Sequence, residues 1–156
     1  MAKTIIRHAT SADFPVLLEI DGDSFPRGIA YDSEELSYFM SQDGTETIVL
    51  ESAGTIAAFL IVDVDRKSKA ATIVTLDVRE NYRRRGFASE LLRRSEEIVA
   101  GHDVRNFGLQ VDVHNAGAIA FYERHGFRFA RKLKHYYADG HDAWLMVKTL
   151  PQNGDK

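Results

Sequence analysis

No cysteine occurs in the 156 residues, which excludes disulfides, thiolate metal centres and any route through an acyl-cysteine intermediate. Proline is scarce, with three in the chain, and no proline-rich linker, repeat or low-complexity tract interrupts it. One domain over residues 1–150 is expected, followed by a short dispensable tail at 151–156. Long apolar runs are missing too. The longest, Ile56 to Val62, is far too short to cross a bilayer, and no apolar stretch of signal-peptide length follows a basic start. A soluble cytoplasmic protein with no membrane partner is the expectation. Positive charge is not in excess: the net charge is −3 and the isoelectric point about 6.1. That balance argues against nonspecific binding to nucleic acid and suits a basic substrate. Neither Gly-x-Gly-x-x-Gly nor Gly-Lys-Ser/Thr is present, so dinucleotide and P-loop sites are excluded. The six histidines, His8, His102, His114, His125, His135 and His141, show no close ligand spacing, and no metal is expected.

What is present alternates strand and helix patterns. Thr4 to His8 reads as a strand, and Thr10 to Asp13 supplies helix-starting residues before Phe14, Val16, Leu17, Leu18 and Ile20. Phe25-Pro26-Arg27-Gly28 breaks that helix, and Asp32-Ser33-Glu34-Glu35 is the cap and acidic first turn of another through Met40. Thr47 to Glu51 and Thr55 to Val64 form strands around Ser52-Ala53-Gly54. A fourth strand, Ala70 to Val78, β-branched and mostly apolar as if buried on both faces, pairs antiparallel with the third. A helix from about Gly86 to Ala100 then leads to a fifth strand, Phe107 to Val113, and this crossover makes the fourth and fifth strands parallel. Asn115 to His125 is the last helix, closed by Gly126, with strands at Phe127 to Lys134 and Ala143 to Thr149 behind it.

The most informative segment is Val78-Arg79-Glu80-Asn81-Tyr82-Arg83-Arg84-Arg85-Gly86-Phe87-Ala88. It is a strand end, a charged turn and the start of an amphipathic helix carrying Phe87, Leu91, Leu92, Ile98 and Val99 at helical spacing. The first N–H groups of a helix lack intrahelical partners and the helix dipole is positive there, so a pyrophosphate fits. Gly86 and Ala88 let phosphates approach the backbone.

Arg83-x-x-Gly86-x-Ala88 resembles the Arg/Gln-x-x-Gly-x-Gly/Ala signature of the GNAT superfamily of acetyl-CoA-dependent N-acetyltransferases. A second block, Leu109 to Phe127, resembles that family's strand-Asn-helix-Tyr-Gly-Phe pattern through Asn115, Tyr122, Gly126 and Phe127. The order of elements is also the family's, so the resemblance covers nearly the whole chain. It implies an α/β fold with a mixed, mostly antiparallel sheet, a parallel and splayed fourth and fifth strand pair, and helices on both faces.

For the site, the resemblance implies that Arg83, Arg84, Arg85, Gly86, Phe87, Ala88 and Ser89 hold the coenzyme A pyrophosphate. Leu76, Val78, Asn115 and Ala118 lie along the pantetheine arm, and Tyr122 points at the sulfur as general acid. A phenol of pKa about 10 stays protonated at neutral pH and gives its proton to a departing thiolate. The closest subfamily resemblance is to ribosomal-protein alanine and other protein N-terminal acetyltransferases, carried by Gln110-Val111-x-x-x-Asn115, Tyr122-x-x-x-Gly126-Phe127 and His135-Tyr136-Tyr137-x-x-Gly140-His141-x-Ala143. That subfamily has a glutamate base where this chain has Gln110, and an amide accepts no proton. Asp77 is the expected base, with Asp112 and His114 as alternatives on the Gln110 face. Substrate contacts are expected from Phe25, Tyr31, Gln110, Tyr136 and Tyr137, although Arg27 to Tyr31 departs from the subfamily pattern. The resemblance implies a primary amine acceptor, most simply a protein N-terminus, and a monomer or homodimer. Removing the proton of a lysine costs about 3.5 kcal/mol more at neutral pH than that of an α-amine. Acetylation of a small amine such as a polyamine or aminoglycoside is the alternative within the class, and a noncatalytic acyl-CoA sensor the alternative outside it.

Overall fold

The computed structural model describes residues 3–151, so the tail expected at 151–156 lies, apart from Pro151, outside the described residues. Among the described residues seven strands form one sheet in the order β1-β2-β3-β4-β5-β7-β6. The strands are β1 Thr4–His8, β2 Thr45–Ser52, β3 Thr55–Asp65, β4 Ala70–Val78, β5 Asn106–Asp112, β6 Arg128–Leu133 and β7 Ala143–Thr149. The helices are α1 Phe14–Ser24, α2 Ser33–Ser41, α3 Phe87–Ala100 and α4 Ala116–Arg124. β4 and β5 are parallel and every other neighbouring pair is antiparallel. The mixed α/β architecture read from the sequence is the one observed, with strand ends that differ by one or two residues.

Helices cover both faces of the sheet. On one, Leu17 and Ile20 of α1 and Leu36 of α2 pack against Val49, Phe59 and Ile61. On the other, Phe87, Leu91, Leu92 and Val99 of α3 pack against Ile48, Leu60 and Val62, and Tyr122 of α4 joins the same cluster. Leu91 and Leu92 are fully buried, and burial of each such side chain stabilises the fold by about 1.5–3 kcal/mol. α2 starts as its sequence prescribes: Asp32 accepts from the Glu35 N–H at 2.8 Å and Glu35 accepts from the Asp32 N–H at 3.1 Å. Among the described residues no helix is long and apolar enough to cross a membrane.

One expectation about β4 is corrected. β3 is the strand buried continuously, from Ile56 to Val62, whereas burial along β4 alternates. α1 and α2 cover β3 on one face and α3 covers it on the other, while Val74, Leu76 and Val78 of β4 border a cavity. β4 also carries a bulge. Val62 pairs with Ile73 and Ile61 with Thr75, which leaves Val74 as the extra residue. A bulge re-aims the residues beyond it. Leu76 and Val78 thereby stay with Ala71 and Ile73 on the α3 face, while Thr75 and Asp77 turn toward α1.

Candidate active site

The parallel pairing of β4 with β5 runs only from Ala70↔Asn106 to Ile73↔Leu109. Beyond Ile73 the strands part, and the cavity between them has a volume of about 650 Å³, within the range of small-molecule sites. It opens at the strand carboxyl ends, where α/β sheets characteristically bind ligands. The splay expected of this pair is therefore present.

At one end of the cavity stands the charged turn. A short 3₁₀ turn, Glu80–Tyr82, follows β4, and Arg84 and Gly86 then take left-handed backbone conformations, with φ of 65° and 80°. Gly86 is the residue before α3, and it provides no side-chain cap. The first N–H groups of α3 are thus left for a ligand. A Cβ built on Gly86 would meet nothing within 4 Å, so glycine is required here by its backbone conformation, and the space above it is open. Arg83, Arg84 and Arg85 are exposed. Arg83 donates to the Val78 carbonyl at 3.1 Å, and Arg85 lies 5.1 Å over the Tyr82 ring. Phe87 anchors the helix in the core beside Tyr82. Ser89 reaches His125 at 3.0 Å. Of the residues expected at the cofactor, Leu76, Val78, Arg83, Ala88, Asn115, Ala118 and Tyr122 line the cavity. Arg84, Arg85, Gly86, Phe87 and Ser89 form the turn and helix start beside it.

Asn115 is the residue before α4, and its side-chain oxygen accepts from the Ala118 N–H at 3.2 Å. It caps the helix while its side of the junction faces the cavity. Tyr122, two helical turns further on, is buried at 7% exposure and lines the same space. Burial, together with the Asp77 charge, pushes its phenol above the usual value, so it is a neutral donor throughout the physiological range.

The opposite end is built from four separate segments. Phe25 and Tyr31 come from the loop after α1, Asp77 from β4, Gln110 from β5, and Tyr136 and Tyr137 from the loop between β6 and β7. The two tyrosines are loop residues with rings edge to face, 4.9 Å apart. Gly28, at φ 92°, makes the junction between the two loops: a Cβ there would lie 2.8 Å from the Asp139 Cβ. Only glycine permits that approach. Tyr31 donates its hydroxyl to the Val74 carbonyl at 3.3 Å, next to the bulge.

Asp77 is 1% exposed. Burial and the neighbouring Asp21 carboxylate hold its carboxyl well above the usual carboxylate range. Asp21 and Thr75, which the sequence reading passed over, stand beside it. The signal for Asp21 was available, since it lies four residues after Leu17 on the apolar face of α1 and is fully buried. The other candidate bases form a separate group at the cavity mouth. Asp112 accepts from the His114 N–H at 3.0 Å and pairs with His141 Nδ1 at 2.8 Å and His114 Nδ1 at 3.2 Å. Burial works to raise its carboxyl, but the His114 N–H and the imidazoles outweigh it and hold it below the usual range. The hydrogen bond to Asp112 in turn raises His141. Strand alternation puts Asp112 and His114 on one face, but spacing could not join His141 to them, because it lies in the β6–β7 loop. One ligand atom from each of Asp112, His114 and His141 lies within 4.8 Å of the others. Both imidazoles share the one carboxylate.

Comparison with known proteins agrees with this geometry. Residues 7–127 match the acetyltransferase (GNAT) family. An N-alpha-acetyltransferase of Saccharolobus solfataricus is 42% identical over 79 residues, 50% of this chain and 47% of that protein. The match therefore spans about half the length of that relative. One from Sulfurisphaera tokodaii is 28% identical over 160 residues, covering 93% of this chain and 92% of its own length. Among solved structures, the ribosomal-protein-S18-alanine N-acetyltransferase of Escherichia coli superposes with a TM-score of 0.84 at 25% identity, over 96% of both chains. NAA60 of Arabidopsis thaliana in complex with acetyl-CoA superposes with a TM-score of 0.82 at 25% identity, over 95% of this chain and 99% of that one.

Proposed function

Since the chain belongs to the acetyltransferase (GNAT) family, we propose that it transfers the acetyl group of acetyl-CoA directly to a primary amine, most simply the N-terminal amine of a protein. The observation that carries this reading is the single cavity joining an open, arginine-flanked helix start to a buried phenol and a buried carboxylate, Tyr122 and Asp77. The residues fit the cofactor: uncapped N–H groups and Arg83 meet the pyrophosphate, and the unpaired edge of β4 beyond Ile73 meets the pantetheine arm. When bound, acetyl-CoA supplies a thioester whose carbonyl carbon accepts a nucleophile.

Asp77 takes a proton from the ammonium form of the incoming amine, and its environment suits the task. A carboxyl raised toward neutrality is a stronger base than an ordinary aspartate and matches the operating pH better. Tyr122 donates to the sulfur as the carbon–sulfur bond breaks, and the second amine proton restores the phenol. The absence of cysteine makes the transfer direct. Tyr136, Tyr137, Tyr31 and Phe25 form a slot with few polar groups, which suits the first residue of a peptide. Support for a protein acceptor comes from the relatives named N-alpha-acetyltransferase and from the ribosomal-protein acetyltransferase likeness.

The test is release of free thiol from acetyl-CoA in the presence of peptides with free N-termini, peptides with lysine only, and small amines. N-terminal peptides are expected to give the highest kcat/KM. A small amine that outperforms them would replace the acceptor, and no thiol above background with any amine would leave an acyl-CoA-binding module instead.

A further inference from the structure

We propose that Asp21, Thr75 and Asp77 form a carboxylate pair that retains one proton and one negative charge, and that this pair receives the acceptor as its ammonium ion through Asp77 Oδ2. Asp21 is the positioning residue of the pair. The inference rests on the acetyltransferase reading only for the identity of the cation.

Hydrogen counting supplies the first argument. Thr75 Oγ1 donates to Asp77 Oδ1 and lies 3.4 Å from Asp21 Oδ1. Three oxygens stand in series, and the hydroxyl owns one hydrogen. With both carboxylates ionised, one of the two contacts would set oxygen against oxygen with nothing between. A proton retained on the pair supplies the missing hydrogen.

Charge gives the second. Asp21 is fully buried, Asp77 nearly so, and none of the ion pairs among the described residues involves either of them. Two uncompensated carboxylates in a dry site are costly, and sharing a proton removes one of the charges. The groups facing the pair do not remove the other. β3 presents Phe59 opposite Asp77 and Ile61 opposite Thr75. The loop after α1 presents the Tyr31 N–H, which donates to Asp21 Oδ2 at 2.7 Å, and α4 presents the neutral Tyr122. Arg83, beyond the end of β4, is exposed and already donates to Val78.

The third argument is the atom left over. Asp77 Oδ2 is buried without a hydrogen-bond partner, and Asp77 and Asp21 both line the cavity beside Tyr31, Tyr136 and Tyr137. A buried oxygen left unpaired is expensive unless a ligand pairs it. An ammonium N–H completes the site, neutralises the remaining charge, and places the nitrogen between the tyrosines and the sulfur end. In the step itself the N–H bond breaks and its electron pair stays on nitrogen. The proton goes to Asp77 Oδ2 and the freed pair forms the bond to the thioester carbon; the sulfur leaves with the carbon–sulfur bonding pair and takes a proton from Tyr122, and the second proton lost by the acylated nitrogen returns to the Tyr122 oxygen, leaving an amide with one N–H.

The experiment is a pH titration of the full chain with ¹³C-labelled aspartate carboxyls, beside pH profiles of kcat/KM for wild type, Asp21→Asn and Thr75→Val. In the wild type one carboxyl is expected to remain protonated well above the usual carboxylate range, as buried paired carboxyls do. Asn keeps the oxygen that accepts the Tyr31 N–H, so Asp21→Asn should fold. It should lower the remaining carboxyl's titration by at least about one pH unit. The acid limb of kcat/KM should move the same way, with acetyl-CoA affinity unchanged within about twofold. Thr75→Val should uncouple the two titrations. Identical carboxyl titrations in wild type and Asp21→Asn would overturn the pair. The carboxyl signals do not depend on turnover, so a retained proton in a protein that acetylates no amine would keep the pair and sink the acetyltransferase reading instead.

Discussion

The two ends of the cavity are made in different ways. The cofactor end is a backbone device contained in consecutive residues, where a strand stops, Arg84 and Gly86 turn left-handed, and α3 begins without a cap. The acceptor end is a side-chain device assembled from α1 and the loop to Tyr31, the bulged end of β4, the end of β5 and the loop holding Tyr136 and Tyr137. A local backbone device tolerates change around it as long as its conformation holds. An assembled one depends on every segment that contributes.

The sharpest separation of the ends should come from Tyr122→Phe. Removing the hydroxyl should lower turnover by about 10²–10⁴-fold while calorimetry finds acetyl-CoA affinity nearly unchanged, because the ring and its packing against Phe121 and Phe127 remain. Parallel losses of turnover and affinity would move Tyr122 from chemistry to cofactor binding. Gly86→Val attacks the cofactor end alone. A β-branched residue held at φ 80° costs about 1–2 kcal/mol, and a turn that relaxes should raise the KM for acetyl-CoA by roughly tenfold. The acceptor KM should stay put, and a rise there would mean that the ends are mechanically joined.

Tyr137→Phe is the matching change at the acceptor end. Loss of one hydrogen bond, about 1 kcal/mol, should raise the acceptor KM roughly fivefold with the acetyl-CoA KM untouched. An unchanged acceptor KM would reduce Tyr137 to a packing residue. Asn115→Ala should have the mildest effect on the fold. Loss of the cap seen at Ala118 should cost about 1 kcal/mol, a fall of roughly 2–4 °C in melting temperature for a domain of this size. If acetyl-CoA affinity falls as well, Asn115 serves both the helix and the ligand; a change in melting temperature alone leaves it the helix only.

Legibility followed the same division. The element order was readable because each element carries its own period and punctuation: Asp32 with Glu35 at α2, Gly86 before α3, and Gly126 after α4 at φ 92°. The parallel pair followed from the length of the crossover between β4 and β5. Three features were not readable. β7 lies between β5 and β6, so β6 takes the edge and the chain turns back to place its last strand beside β5, and short-range pattern carries no such order. The bulge at Val74 depends on pairing with Ile61 and Val62. His141 joins Asp112 and His114 from a loop that no sequence period connects to them.

By itself the sequence determined the family resemblance, the run of strands and helices, and the cofactor turn, because hydrophobic period, helix punctuation and left-handed glycine are properties of neighbouring residues. The tertiary structure decided which charged groups meet. Asp21 became part of the site because α1 lies across the bulged end of β4, and the strand's re-aimed side chains buried Asp77 against it. A carboxylate's protonation is set by the solvent it loses and the charges it acquires, and both depend on contacts between segments 54 residues apart along the chain.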